Sequence, residues 1–284
     1  MPILNEIEKN IEAVSIIKNI TEAYHQIANL RMKQIKERVL KTRYFFNELL
    51  NICQRVQSAS FYSKKKKKSE KIFRKTEKEE IVIFLSANEF FYGSLILDIW
   101  KETEKYVSKR KVDLLIVGRI GKYLAERSGW GQKFFYFELD DVEPEKEKIS
   151  EIFDFIQKYK KIIVFHGVYE KILLQKPKMT EISSYLPSQK KLKKEREDYL
   201  FEPSIEEILA FFETEIVNIL LSQTIFEHQL AKLASRVISM HEANEKAKET
   251  EKKLTMIKQK LKKEKINRKQ VEYFGKIIFL QKNE

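Results

Sequence analysis

Four histidines and one cysteine are the side chains of this 284-residue sequence best suited to metal or nucleophilic chemistry. His25, His228 and His241 fall in long helical stretches and His166 ends a strand-like run, none with clustered partners, which argues against a metal site. Cys53 lies in a helix-forming stretch away from any recognisable base, and neither H-E-x-x-H nor G-x-S-x-G occurs. Gly118-Arg119-Ile120-Gly121 follows a strand pattern and precedes a helical one, a place where backbone N–H groups can hold a phosphate. It lacks both the G-x-G-x-x-G fingerprint and the Walker lysine, so it reads as a turn. Asp140, Asp141, Glu143 and Glu145 read as a solvated loop. No catalytic, cofactor-binding or metal residues are expected in this chain.

The elements that would position these residues are dominated by the C-terminal stretch 202–274. Residues 204–274 contain neither proline nor glycine, the two strongest helix breakers. Leu230, Leu233, Val237, Met240, Ala243, Ala247, Leu254, Ile257 and Leu261 recur mostly three or four apart, the spacing of a coiled-coil seam. Ser204 with Glu207 makes a capping box at its start. A continuous helix of roughly 70 residues would span about 100 Å. At the other end Ile7, Ile11, Val14, Ile17, Tyr24, Ala28, Ile35 and Val39 share a helical face. Two such helices can lie antiparallel and bury each other's stripes.

Between them the period changes. Apolar runs at 81–85, 112–117, 134–137 and 162–165 alternate with helical patterns around 95–107, 123–127 and 145–159. Alternating strands and helices predict a mostly parallel sheet covered on both faces. The fold expected is a mixed α+β, α/β one: an antiparallel coiled coil of long N- and C-terminal helices with an inserted Rossmann-like α/β domain. The divisions expected are an N-terminal helix over 1–60, a basic linker over 61–80 containing Lys64 to Lys68, the α/β domain over 81–199, and the C-terminal helix over 200–284. Residues 168–199, with Pro177, Pro187 and the cluster Lys190 to Lys194, read as a variable segment.

Charged residues make up 34% of the chain and the formal net charge is +13, which implies acidic neighbours without choosing among nucleic acid, anionic lipid and protein. A single cysteine excludes an internal disulfide and fits a reducing, cytoplasmic setting. The opening MPILNEIEKN has no basic region followed by an apolar one, and no apolar run reaches the length of a membrane span, so neither a signal peptide nor a spanning helix is expected.

The order helix–sheet–helix resembles the gamma subunit of the rotary F-type ATP synthases, and local sequence follows the same order. Asn10-Ile11-Glu12-Ala13-Val14, Asn19-Ile20-Thr21-Glu22-Ala23-Tyr24, Ile27-Ala28 and Arg31-Met32 resemble that family's N-terminal pattern. Val117-Gly118-Arg119-Ile120-Gly121 is similar to its Ile-Gly-Arg-Lys-Gly turn. Phe201-Glu202-Pro203-Ser204 stands where the family has Phe-Glu-Pro-Ser. Arg236, Met240, Ala243, Ala247, Leu254 and Thr255 then follow in register, and Ile266, Glu272 and Gly275 match the closing residues. The chain departs from the pattern at the turn 86–93, at Ala231-Lys232 in place of Ser-Glu, and at Gln259, Lys262 and Lys263. These departures mark a divergent member.

The resemblance implies a central-stalk rotor that couples rotation to ATP synthesis or hydrolysis in a ring of alpha and beta subunits, and to proton transport. It implies an epsilon-type subunit and a c-ring as partners at the foot, and a peripheral place on the cytoplasmic face of the cell membrane. ATP, ADP and magnesium would be bound by the partner subunits and none by this chain. Contacts with the ring are expected from the basic residues Lys9, Lys18, Arg31, Lys33, Arg236, Lys246, Lys262 and Lys263, and from the apolar tip Ile277, Ile278, Phe279 and Leu280. The alternatives are a gamma-like rotor of a variant ATPase not used for proton-driven synthesis, a basic coiled-coil protein that binds nucleic acid, a small-molecule enzyme built on the sheet, and a scaffold that merely shares the helix pair. On the rotor reading no nucleic acid is expected.

Overall fold

The computed structural model describes residues 2–63, 78–130, 133–183, 202 and 204–281. The element order is α1 (Pro2–Ser63), β1 (Lys78–Leu85), α2 (Leu95–Val107), β2 (Asp113–Val117), α3 (Arg119–Arg127), β3 (Phe135–Phe137), α4 (Lys146–Ile156), β4 (Tyr159–Lys171), β5 (Leu174–Glu181) and α5 (Ile205–Gln281). The fold is the one the sequence predicts, two long terminal helices with a mixed α/β sheet between them. By its contacts the chain divides into two compact units, Met1–Ile27 with Val237–Glu284, and Ala28–Arg236.

The first unit is a pair of antiparallel helices. Thr21, Met240, Asn244 and Ala247 are buried in its seam. Lys18 pairs with Glu251 at 2.6 Å and Lys258 with Glu8 at 3.0 Å, so the register advances along one helix as it recedes along the other. Asn244 Nδ2 donates to the Lys18 carbonyl at 3.2 Å and to Glu22 at 3.0 Å. A buried amide in a mostly apolar seam fixes register at a cost in stability.

The second unit is built on a five-stranded sheet of order β3-β2-β1-β4-β5. The first four strands are parallel, and β5 runs antiparallel to β4 at the edge. Successive strand residues face opposite ways, and burial follows that alternation. Ile81, Ile83, Leu85, Leu115, Val117, Ile162 and Val164 face a core completed by α4, by Phe46 and Cys53 of α1, and by residues 216–225 of α5. Val82, Phe84, Leu114, Ile116, Ile163 and Phe165 face a core completed by α2 and α3. Both faces are covered, as the apolar strand runs require.

Three boundaries differ from expectation. The segment read only as variable after residue 167 carries the rest of β4 and all of β5. Pro177 is accommodated because β5 is the sheet's edge, where a proline costs least. Helix α3 starts at Arg119 instead of 123, directly after the turn glycine. Tyr159, at the end of an expected helix, opens β4 instead, where its hydroxyl donates to Asp113 at 2.7 Å. The lysine runs 64–68 and 190–194 lie outside the described residues.

Candidate functional site

In a parallel sheet of this kind, ligands usually enter beyond the carboxyl ends of the strands, at the point where the strand order reverses. Here that point lies between β1 and β4. It is filled by the protein itself. Helix α5 presents His228, Gln229, Lys232, Ser235 and Arg236 to the loops that follow β1 and β3 and to β4 at Gly167, and all five are buried. Their spacing puts them on one face of two successive turns.

The imidazole of His228 bridges the two strand ends. Its Nδ1 accepts the Gly167 N–H at 3.0 Å, and its Nε2–H donates to the Ser86 carbonyl at 3.0 Å. Both bonds require the neutral ring. Burial, reinforced by the Lys232 charge, holds its pKa well below the usual histidine value. Ala231 lies alongside, its Cβ 3.2 Å from where a Cβ on Gly167 would stand, so the glycine allows helix and strand to touch.

One turn further on, Lys232 forms a buried ion pair with Asp141, and its ammonium lies 3.5 Å from the Ser86 carbonyl. Burial lowers the lysine pKa, opposed by the attraction of Asp141. The carboxylate is well satisfied: its Oδ2 accepts the N–H groups of Asn88 and Glu89 at 2.8 Å each, and the Tyr92 hydroxyl stands at 3.4 Å. Gln229 donates to the Asp141 carbonyl at 3.2 Å and Ser235 to the Tyr92 carbonyl at 2.7 Å. Arg236 completes the stripe. Its guanidinium donates to Glu89 Oε2 and to the Phe90 carbonyl, each at 2.8 Å, and lies 4.0 Å from the centre of the Tyr92 ring.

The residues with chemical potential in the sequence are absorbed into this packing. The first N–H groups of α3, where a phosphate could have sat, are engaged: Arg119 N–H by Asn88 Oδ1 and Ile120 N–H by the Ala87 carbonyl, both at 2.9 Å. Gly118 adopts φ +106°, and a Cβ there would meet the Ala87 backbone at 2.9 Å. A Cβ on Gly121 would come within 2.7 Å of Ile116. These two glycines serve close approach. His166 donates from Nδ1 to the Gly167 carbonyl and accepts the Thr180 hydroxyl at 2.9 Å, and burial pushes its pKa down to about 4. Burial raises the Cys53 thiol to about 11, which leaves it protonated. His25 and His241 face each other in the first unit with ring centroids 5.8 Å apart.

The expected ring contacts are distributed over both units. In the first unit Lys9, Lys246, Lys262 and Lys263 are exposed, and Lys18 is held by Glu251. In the second, Lys33 is exposed, and Arg31 lines an open cleft of about 720 Å³ with Arg38, Glu89, Asp140 and Glu143. Arg236 is 3% exposed and turned inward into the joint described above. The side chains of Ile277, Ile278, Phe279 and Leu280 lie outside the described residues. Sequence reasoning passed over Asp141 as loop, and missed His228 and Lys232 as joint residues. The one available signal was the departure at Ala231-Lys232.

Paired terminal helices, one of them packed by buried polar side chains into the crevice of an inserted sheet, define a helix-hairpin protein. A family model described as ATP synthase matches residues 3–272, and the chain belongs to that family. The ATP synthase gamma chain of Roseiflexus castenholzii is 22% identical over 266 residues, covering 90% of this chain and 91% of that one. The ATP synthase gamma chain of Chloroflexus aurantiacus is 24% identical over 271 residues, covering 90% and 91%. Among solved structures, the rotor of the Euglena gracilis mitochondrial ATP synthase aligns with a TM-score of 0.62 at 13% identity, covering 93% of this chain and 99% of that one. The central stalk and c-ring structure of the Tetrahymena thermophila mitochondrial ATP synthase supplies a second, at 0.57 and 16%, covering 79% and 99%. The fold is that of a central-stalk gamma subunit, and the low identities fit a divergent member.

Proposed function

We propose that this chain is the gamma subunit, the central-stalk rotor, of an F-type ATP synthase, turning inside a ring of alpha and beta subunits. The observation that carries this reading is the pair of unbroken helices, 62 and 77 residues long, the second of which is pinned to the sheet by its own polar side chains. An element that transmits rotation must resist bending and twisting, and helices free of glycine and proline over residues 3–63 and 204–274, locked through a shared seam, do so. An asymmetric rotor presents a different side to each catalytic site, so rotation shifts each site among its conformers through differential contact.

The exposed cations Lys9, Lys33, Lys246, Lys262 and Lys263 would face the ring, where long-range attraction to acidic loops tolerates sliding. Val271, Tyr273 and Phe274 are 70, 67 and 64% exposed near the end of α5, an apolar end that suits an apolar sleeve. The sheet domain would face an epsilon-type subunit and the c-ring. The coupled ion would be the proton. The complex would sit peripherally on the cytoplasmic face of the membrane, with ATP, ADP and magnesium held by the partner subunits. Among the described residues no helix is long and apolar enough to cross a membrane.

A tagged pull-down at moderate salt, with mass spectrometry and an ATPase assay on the eluate, tests the proposal. Alpha- and beta-type subunits should co-elute in excess over this chain, and deletion of residues 262–284 should abolish the ATPase activity. Elution alone or with nucleic acid overturns it.

A further inference from the structure

We infer that the crevice between the carboxyl ends of β1 and β4 is the torque socket of the rotor, with Lys232 as the key and Asp141 as its seat. The inference rests on the rotor reading and adds where the turning force passes from α5 to the sheet domain. An apolar helix–sheet contact is non-directional, so it resists separation far better than it resists rotation of the helix about its axis. Resistance to rotation needs directional bonds at fixed angles around that axis. Residues 216–225 of α5 supply apolar packing on one sheet face, and the directional bonds begin at His228.

The geometry meets that need. His228 is tied to both strand ends, Lys232 to Asp141 and the Ser86 carbonyl, Ser235 to Tyr92, and Arg236 to Glu89 and Phe90. Turning α5 would break these bonds together, in a buried place where unmade bonds cost most. Asp141 is itself held by two backbone N–H groups, so force reaching it passes into the β1–α2 loop. Asp141 supplies the charge that makes a lysine tolerable in this buried place. The ligand crevice of the sheet is thereby converted into a mechanical seat.

The test uses the complete complex reconstituted in lipid vesicles, with ATP hydrolysis and ATP-driven proton uptake measured on the same preparation. Wild-type uptake establishes the rotor reading independently; its absence defeats that reading and not the socket alone. Lys232→Glu should keep most of the hydrolysis yet lose proton uptake about tenfold, because repulsion replaces a buried pair, and Lys232→Arg should restore uptake. A disulfide across the socket decides between a mechanical and a merely structural defect. Gly167→Cys with Ala231→Cys places the two Cβ atoms 3.2 Å apart, so a shift of a few tenths of an ångström, away from Ala231 and with Leu95 giving way, brings them to the spacing such a bond needs. In the Lys232→Glu background, oxidation of that pair should return uptake and reduction should remove it. Unchanged uptake per ATP in Lys232→Glu, a proportional loss of both activities, or an oxidised pair that restores nothing would each overturn the socket.

Discussion

Lys232 and Arg236 are one helical turn apart and serve neighbouring loops by different chemistry. Lys232 offers a point charge to one carboxylate, whereas Arg236 spans a carboxylate, a carbonyl and an aromatic face. Removing the first leaves the buried Asp141 with two backbone N–H donors and the Tyr92 hydroxyl at 3.4 Å, and no counter-charge. Lys232→Met should therefore destabilise the chain by about 3–5 kcal/mol, read as a lower urea midpoint. The two buried histidines make a separate prediction. Unfolded, each imidazole takes up a proton near its ordinary value of 6.5, while the folded chain keeps His166 neutral down to about 4 and His228 to well below the ordinary value. The unfolded state then binds more protons as pH falls, so stability present at neutral pH is lost below that value. For His166 alone the loss between about pH 7 and about pH 5 is about 2 kcal/mol. Urea midpoints across that range should fall for the wild type and fall less for His166→Gln.

At the scale of elements, close approach and register carry the predictions. A methyl group on Gly121 would come within 2.7–2.9 Å of Ile116, Ser86 and Phe84, in a place where β1, β2 and α3 all meet. Gly121→Ala should cost about 1–3 kcal/mol by overpacking, measured as a reduced thermal midpoint. In the helix pair, Asn244 gives up apolar packing to bond Lys18 and Glu22. Asn244→Leu should raise the thermal midpoint, yet lower the yield of a disulfide between cysteines placed at Glu8 and Lys258, because alternative registers become available. The helix pattern was legible from the sequence because periodicity is local. Strand β5 was not, because Gln175, Lys176, Pro177 and Lys178 resemble a loop until β4 is there to pair with them.

For the whole molecule the net charge of +13 becomes a statement about kinetics. If the exposed lysines face acidic ring loops as proposed, they should speed assembly at low ionic strength, and the advantage should fade as salt screens it. Charge reversal at Lys33 and Lys246 together should slow association with the ring several-fold at low salt and little at high salt, by stopped-flow mixing of the rotor with the ring. A rotor that bound through apolar contacts alone would show no such dependence.

The sequence by itself determined that both ends of the chain are long helices, that a mostly parallel sheet lies between them, and that no recognised catalytic motif is present. Helix continuity depends on the absence of glycine and proline over residues 204–274, and strand identity on short apolar runs, both readable within a few turns of chain. The tertiary structure alone decided that β5 closes the sheet and that the ligand crevice is filled by α5. It also showed that a residue read as solvated loop, Asp141, is the buried partner of a lysine 91 positions away. Such pairings depend on where the backbone brings distant segments together, and no local pattern of residue types encodes that meeting.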